Sequence, residues 1–270
     1  MKFSMSEAWR DATNMLSANR EVLLIVAGIF FFIPDVVMGL AMGNMQEELL
    51  ANPENMQAVI LSFYTNWGWL LALTTIVSMV GYLTLLALLR DHNRPTVGEA
   101  IMIGLTGLLP GIGAYLVLVI GMSLAAAVPL VIAGVAGVAA LNVVMILLVV
   151  IGAIYVAVKV SLSGPVIAIE KVYNPFKILL RSWQITKGNS LRLFFFYVLL
   201  FVVYLVIAGI VSAVVGIVLL AVAGSAATTV NAIVSAIIGA VFYLIFVAVL
   251  AAIHRQLTGP SAEAVSATFE

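Results

Sequence analysis

No cysteine occurs in the 270 residues. Disulfides, thiolate nucleophiles, Cys-ligated zinc and iron–sulfur clusters are therefore excluded. Charge is nearly as scarce. Twelve Lys and Arg and twelve Asp and Glu make up 9% of the chain, where soluble domains carry roughly 25%. With 64% hydrophobic residues, a globule of this size could not cover its surface with polar groups. The net charge is zero, which gives no electrostatic footprint for nucleic acid. Histidine is limited to His92 and His254; neither has a carboxylate at metal-ligand spacing, and HExxH does not occur. Asp91 and His92, within RDHNRP, read as a solvated turn rather than an acid–base pair. His254 and Arg255 read as a basic end to the last helix. No enzyme activity, cofactor or metal is expected.

What the chain has instead is apolar runs of spanning length. A membrane helix needs about 20 residues. Six such runs occupy 22–43, 59–89, 103–132, 137–160, 191–222 and 230–253. The division between the third and fourth rests only on Gly134, Gly137 and their small neighbours, so a re-entrant arrangement there is the alternative. Residues 1–20 are polar and mixed in charge, unlike a cleavable signal, and the first apolar run is too long for a signal core. The fold class is an all-α polytopic membrane bundle.

The basic residues set its orientation. With six spans, all twelve fall on the side of the N-terminus. The opposite connections, 44–58, 133–136 and 223–229, carry none, and the first holds Glu47, Glu48 and Glu54. Lys and Arg are retained in cytoplasmic loops. Both termini are thus expected in the cytoplasm, with the protein in a bacterial inner membrane.

Two further segments have amphipathic spacing. In 4–19, Met5, Ala8, Trp9, Ala12, Met15 and Leu16 share one face, and Ser4 and Glu7 have capping-box spacing. This helix is expected in the interface plane with Trp9 at headgroup level. In 175–187, Asn174 can cap, Pro175 fits the first turn and Gly188 fits the left-handed C-terminal position. Its Phe176, Leu179, Leu180 and Trp183 form one apolar stripe, and Ile178 and Ile185 another, which predicts burial on two sides. Thr96 and Glu99 open a third start. Together the three suggest a repeat of one helix and two spans.

The stretch 158–196 resembles the membrane domain of the glycerophosphoryl diester phosphodiesterase family. The resemblance lies in Ser163-Gly164-Pro165, Glu170, Arg181-Ser182-Trp183 and Thr186-Lys187-Gly188. In that family the membrane module accompanies a soluble phosphodiesterase domain. The resemblance implies a six-span membrane module here, without catalytic residues.

Two sets of residues stand out as candidate sites. Lys171, Lys177, Arg181, Lys187 and Arg192 lie within 22 residues, with Trp183 among them. Each basic group near an anionic leaflet contributes about 1 kcal/mol, so this set is a candidate contact for anionic lipid. Ordinary positive-inside topology with snorkelling side chains is the simpler reading. Lys159, at a span end, is expected to snorkel. Glycines 104, 107, 111 and 113, and likewise Gly209, Gly216, Ser235 and Gly239, are expected to serve close helix packing rather than phosphate binding. The second candidate is Asp35, about 20 Å into the first span at ~1.5 Å per residue. An ionised carboxylate there costs roughly 2.5–3.5 kcal/mol, so it must be protonated, paired or facing water. Pro34 before it leaves the Phe30 carbonyl without its helical partner. The expected partners are membrane lipids and other membrane proteins. The expected function is non-catalytic contact with them, and the alternative is a small transporter or lipid-handling permease using Asp35. Reporter fusions at Glu270 and within 44–58 should report opposite sides of the membrane; the same side for both would refute six spans.

Overall fold

The computed structural model describes residues 2–51, 53–90, 95–219 and 225–259. Among these the protein is an all-α bundle in which six helices are long and apolar enough to cross a membrane. Helix α1 is Met5–Ala18. The first span is α2 (Arg20–Ala27), a π-turn at Gly28–Phe32 and α3 (Ile33–Ala51). The others are α4 (Met56–Leu88), α5 (Val97–Ala136), α6 (Ala139–Val160) with the short α7 (Ser163–Ala168), α9 (Ser190–Leu219) and α10 (Ser225–Thr258). Helix α8 (Pro175–Ile185) lies between α7 and α9.

Several spans outrun the sequence reading. Helix α3 continues through the expected outer connection to Ala51. The Thr96–Glu99 capping box forms in full, but it opens α5 itself, a 40-residue helix, rather than a separate one. At ~1.5 Å per residue α5 is about 60 Å long, twice the ~30 Å apolar core of a bilayer. The expected repeat therefore has no second peripheral helix. The turn between α5 and α6 sits at Gly137, whose φ of 66° places it in the left-handed region that glycine tolerates. Two complete helices meet there, and no re-entrant segment forms.

Burial is uneven. Of their most apolar stretches, 56% of α10 and 44% of α4 are buried in the protein, against 6% of α5, of Ala139–Ala168 and of α9. Helices α2–α3, α4 and α10 form the centre, and the other three lie around it. The core concentrates at the end where α1, α7 and α8 gather, called the basic end below. It contains Leu23, Leu83, Leu86, Leu162, Ile178, Val247 and Leu250. Close packing uses small residues, as lipid-embedded helices require. On α5, Ala100, Gly104, Gly107, Gly111 and Ala114 form one buried stripe. A methyl on Gly104 would lie 2.6 Å from the Val80 carbonyl oxygen of α4. On the other side of the centre, Gly39 meets Ala232 and Gly43 meets Thr228, joining α3 to α10. Gly209 and Gly216, expected to pack likewise, face open space, whereas Gly239 meets Asp35.

The amphipathic helix α1 buries Ala8 and Ala12 and leaves Trp9 exposed. It packs on α10 and is tied there by Arg255 to Asp11 at 2.7 Å and by the Gln256 amide donating to Glu7 at 2.9 Å. The chain before it is pinned as well. The Phe3 N–H donates to Asn189 Oδ1 at 3.0 Å, and Arg192 donates to the Phe3 carbonyl at 3.3 Å. The carbonyl that Pro34 orphans finds a partner across the bundle, since Ser78 Oγ of α4 donates to Phe30 O at 3.3 Å. Replacing Gly104 with Ala should cost about 2 kcal/mol through overpacking against backbone. Gly152→Ala, at an open position, should be neutral. Thermal unfolding of the two variants in detergent checks the contrast.

Candidate functional site

Residues 158–192 build a clasp. Helix α6 ends at Val160, and α7 begins at Ser163 after a two-residue break. The break leaves unpaired backbone groups in an apolar setting, which is costly unless partners are found. Helix α8 supplies them. Ser182 Oγ donates to the Lys159 carbonyl at 2.9 Å and accepts from the Leu162 N–H at 3.2 Å. Thr186 Oγ1 lies 3.3 Å from the same carbonyl. Both hydroxyl residues are fully buried.

The same helix holds the turn after α7. Arg181 grips Glu170 with two donors, Nε at 2.8 Å and Nη2 at 3.1 Å. His254 of α10 lies 2.9 Å, through Nε2, from Oε1, the oxygen that also accepts from Arg181 Nη2. An ionised carboxylate only accepts, so Nε2 carries the proton. Burial alone would raise the Glu170 pKa, but the hydrogen bonds and charges of His254 and Arg181 hold it down to about 2. The Arg181 guanidinium is raised in turn, first by its bond to Glu170. To bring Glu170 into place the chain turns at Lys171, whose φ of 56° is left-handed. For a residue with a Cβ that conformation costs roughly 1–2 kcal/mol.

Helix α8 forms as its sequence predicts. Asn174 Oδ1 accepts from the Phe176 and Lys177 N–H groups, both at 3.1 Å, Pro175 opens the first turn, and Gly188 takes φ 83°. Ile178 and Ile185 face the protein, while Phe176 and Leu180 are exposed. Trp183 stands edge-on to Tyr155, and the Lys159 ammonium lies 5.3 Å and 5.6 Å from their two ring centroids. Lys159 does not snorkel: the residue is 3% exposed, and the two rings supply cation–π stabilisation instead.

The structure thus divides the six candidate lipid contacts. Arg181, Trp183 and Arg192 are engaged within the protein. Lys171, Lys177 and Lys187 are exposed and make no ion pair among the described residues. A polar cleft of about 280 Å³ lies between α8 and the end of α10, lined by Arg181, Gln184, Lys187, Asn189 and Thr258 among others. Asp35 is not part of this group. It sits on α3 against Gly239 and near Tyr243, exposed, and no hydrogen bond from the described residues reaches its carboxyl. Between Asp35 and His254 the packed residues Val247 and Leu250 are buried. Asp91 and His92 lie outside the described residues. The pairing of His254 with Glu170 had no signal in the sequence.

The site therefore belongs to a polytopic membrane helix bundle, whose 158–192 segment is an internal brace with an outward basic rim. No family model matches the chain, and no curated protein or solved structure is similar to it. Glu170→Gln should lower stability by about 2 kcal/mol at neutral pH through loss of charge-assisted bonds. Because the folded carboxyl ionises more readily than the unfolded one, its contribution is complete above about pH 4.5. It fades as pH falls toward about 2. The stability gap between wild type and variant, followed by thermal unfolding, should close over that window.

Proposed function

We propose that this is a non-catalytic, multi-pass protein of a bacterial inner membrane, with both termini in the cytoplasm, that holds anionic lipid headgroups at its basic end. One observation carries the reading. The basic groups that brace the fold, Lys159, Arg181 and Arg192, are engaged, while Lys171, Lys177 and Lys187 stand exposed, and Lys187 lines a polar cleft. Charges that only marked topology could sit anywhere on that side; three of them are grouped on the turn and helix that the clasp fixes in place. The exposed Phe176 and Leu180 on the same helix offer an apolar face to the bilayer. The resemblance of 158–196 to the membrane domain of glycerophosphoryl diester phosphodiesterases supports the same reading. It also implies other membrane proteins as partners.

The test removes only the three free lysines. Lys171→Gln, Lys177→Gln and Lys187→Gln together should leave folding intact. They should lower retention of phosphatidylglycerol by the purified protein, each charge being worth about 1 kcal/mol and screened by salt. Retention equal to wild type at low salt would leave these charges with topology alone.

A second reading, a small transporter or lipid-handling permease, is favoured by Asp35, an exposed carboxyl in a span with no hydrogen bond from the described residues. Asp35→Asn abolishes titration and preserves shape. Normal folding with lost proton-coupled uptake in vesicles would support it, whereas unchanged behaviour would retire Asp35 as a proton site.

A further inference from the structure

A groove of about 350 Å³ runs between α1–α2 and α10, within the roughly 300–1,000 Å³ range of ligand sites. Leu16 and Leu24 wall it on one side, and Val241, Leu244 and Ile245 on the other. Thr13, Leu16 and Ser17 share one face of α1, and Arg20 and Leu24 share one face of α2. The two hydroxyls in that set bond their own helix, Thr13 to the Trp9 and Arg10 carbonyls and Ser17 to Asn14. They leave the groove surface apolar. Arg20 is different: it is exposed and has no ion pair or hydrogen bond among the described residues. It is the first residue of α2, directly after the break that separates α1 from the first span, so it stands where the chain enters the bilayer.

At this level of α10 two other faces are covered by aromatic contacts. Phe242 and Phe246 pack on Tyr204 and Tyr197 of α9, and Tyr243 packs on Phe31 and Tyr82. The Val241–Ile245 face lines the groove, which no helix fills among the described residues. An apolar slot with one unpaired guanidinium at its membrane-interface end matches a phospholipid, with an acyl chain along the slot and a phosphate on the arginine. Arg suits this because its planar fork binds phosphate oxygens in pairs.

We infer that the groove between α1–α2 and α10 is a binding site for an anionic glycerophospholipid of the surrounding leaflet, with its phosphate held by Arg20. The site is remote in sequence from Lys171, Lys177 and Lys187, so it can fail without touching the reading above.

The full chain is reconstituted with phosphatidylglycerol bearing a photoreactive acyl chain, and the cross-linked peptides are mapped. Cross-links should concentrate on the segments around Leu16–Leu24 and Val241–Ile245. Val241→Trp, at an exposed position, should fill the groove and remove them. Arg20→Gln should lower retained phosphatidylglycerol relative to phosphatidylcholine about fivefold, the weight of one basic group at a membrane surface, while the triple lysine variant leaves these cross-links in place. Even labelling of all exposed helix faces, or labelling unchanged by both Val241→Trp and Arg20→Gln, would overturn the site.

Discussion

Glu170 is the group on which the arrangement of the basic end depends. In a bilayer the hydrophobic effect does little to hold one helix against another, because lipid is as apolar as the helix it would replace. Close packing and polar ties must do it. Glu170 receives a forked pair of donors from Arg181 and a third contact from His254, so one carboxylate joins α8 to α10 from the turn after α7. The chain accepts a left-handed Lys171 to present it. Around this point the hydroxyls of Ser182 and Thr186 close the backbone gap between α6 and α7, and the aromatic pair Tyr155 and Trp183 covers the Lys159 ammonium. Glu170, Arg181, Ser182 and Thr186 thus each answer a group of the clasp or of α10.

The packing divides the bundle along its length. Near the basic end, glycine and alanine stripes let α4 and α5 approach until backbone meets backbone, and the core there is dense. Toward the other end α5, α6 and α9 expose long apolar faces. A bundle built this way is densely packed where most of its charges lie and exposes apolar faces where they do not. The lysine rim of the proposed lipid contacts lies on the densely packed half of the molecule. Asp35 lies on the central pair α3 and α10, separated from the clasp by the buried Val247 and Leu250.

What could be read from the sequence was local. The six spans follow from run length and from the one-sided distribution of Lys and Arg. Asn174, Pro175 and Gly188 mark the ends of α8 because caps act within a turn or two of themselves. Pro34 announces an orphan carbonyl for the same reason, but its partner, Ser78, lies 48 residues away and leaves no trace. Glu170 and His254 are 84 residues apart, and neither pattern nor spacing connects them. Lys159 looked like a snorkelling lysine because such a residue at a span end is usually free; two aromatic rings from different segments changed that. The extra length of α5 was hidden because its capping box is a start signal that says nothing about where the helix stops.

The absence of cysteine allows a direct test of the clasp. Cysteines placed at Gln184 and Thr258, on α8 and α10 at the two sides of the polar cleft, can be spin-labelled without background and their separation measured by pulsed electron paramagnetic resonance. With Glu170 intact the distance distribution should be narrow. With Glu170→Gln it should broaden and shift to longer distances as α8 loses its hold on α10. A distribution unchanged by Glu170→Gln would show that packing alone sets the position of α8, and would contradict the central role given to this carboxylate.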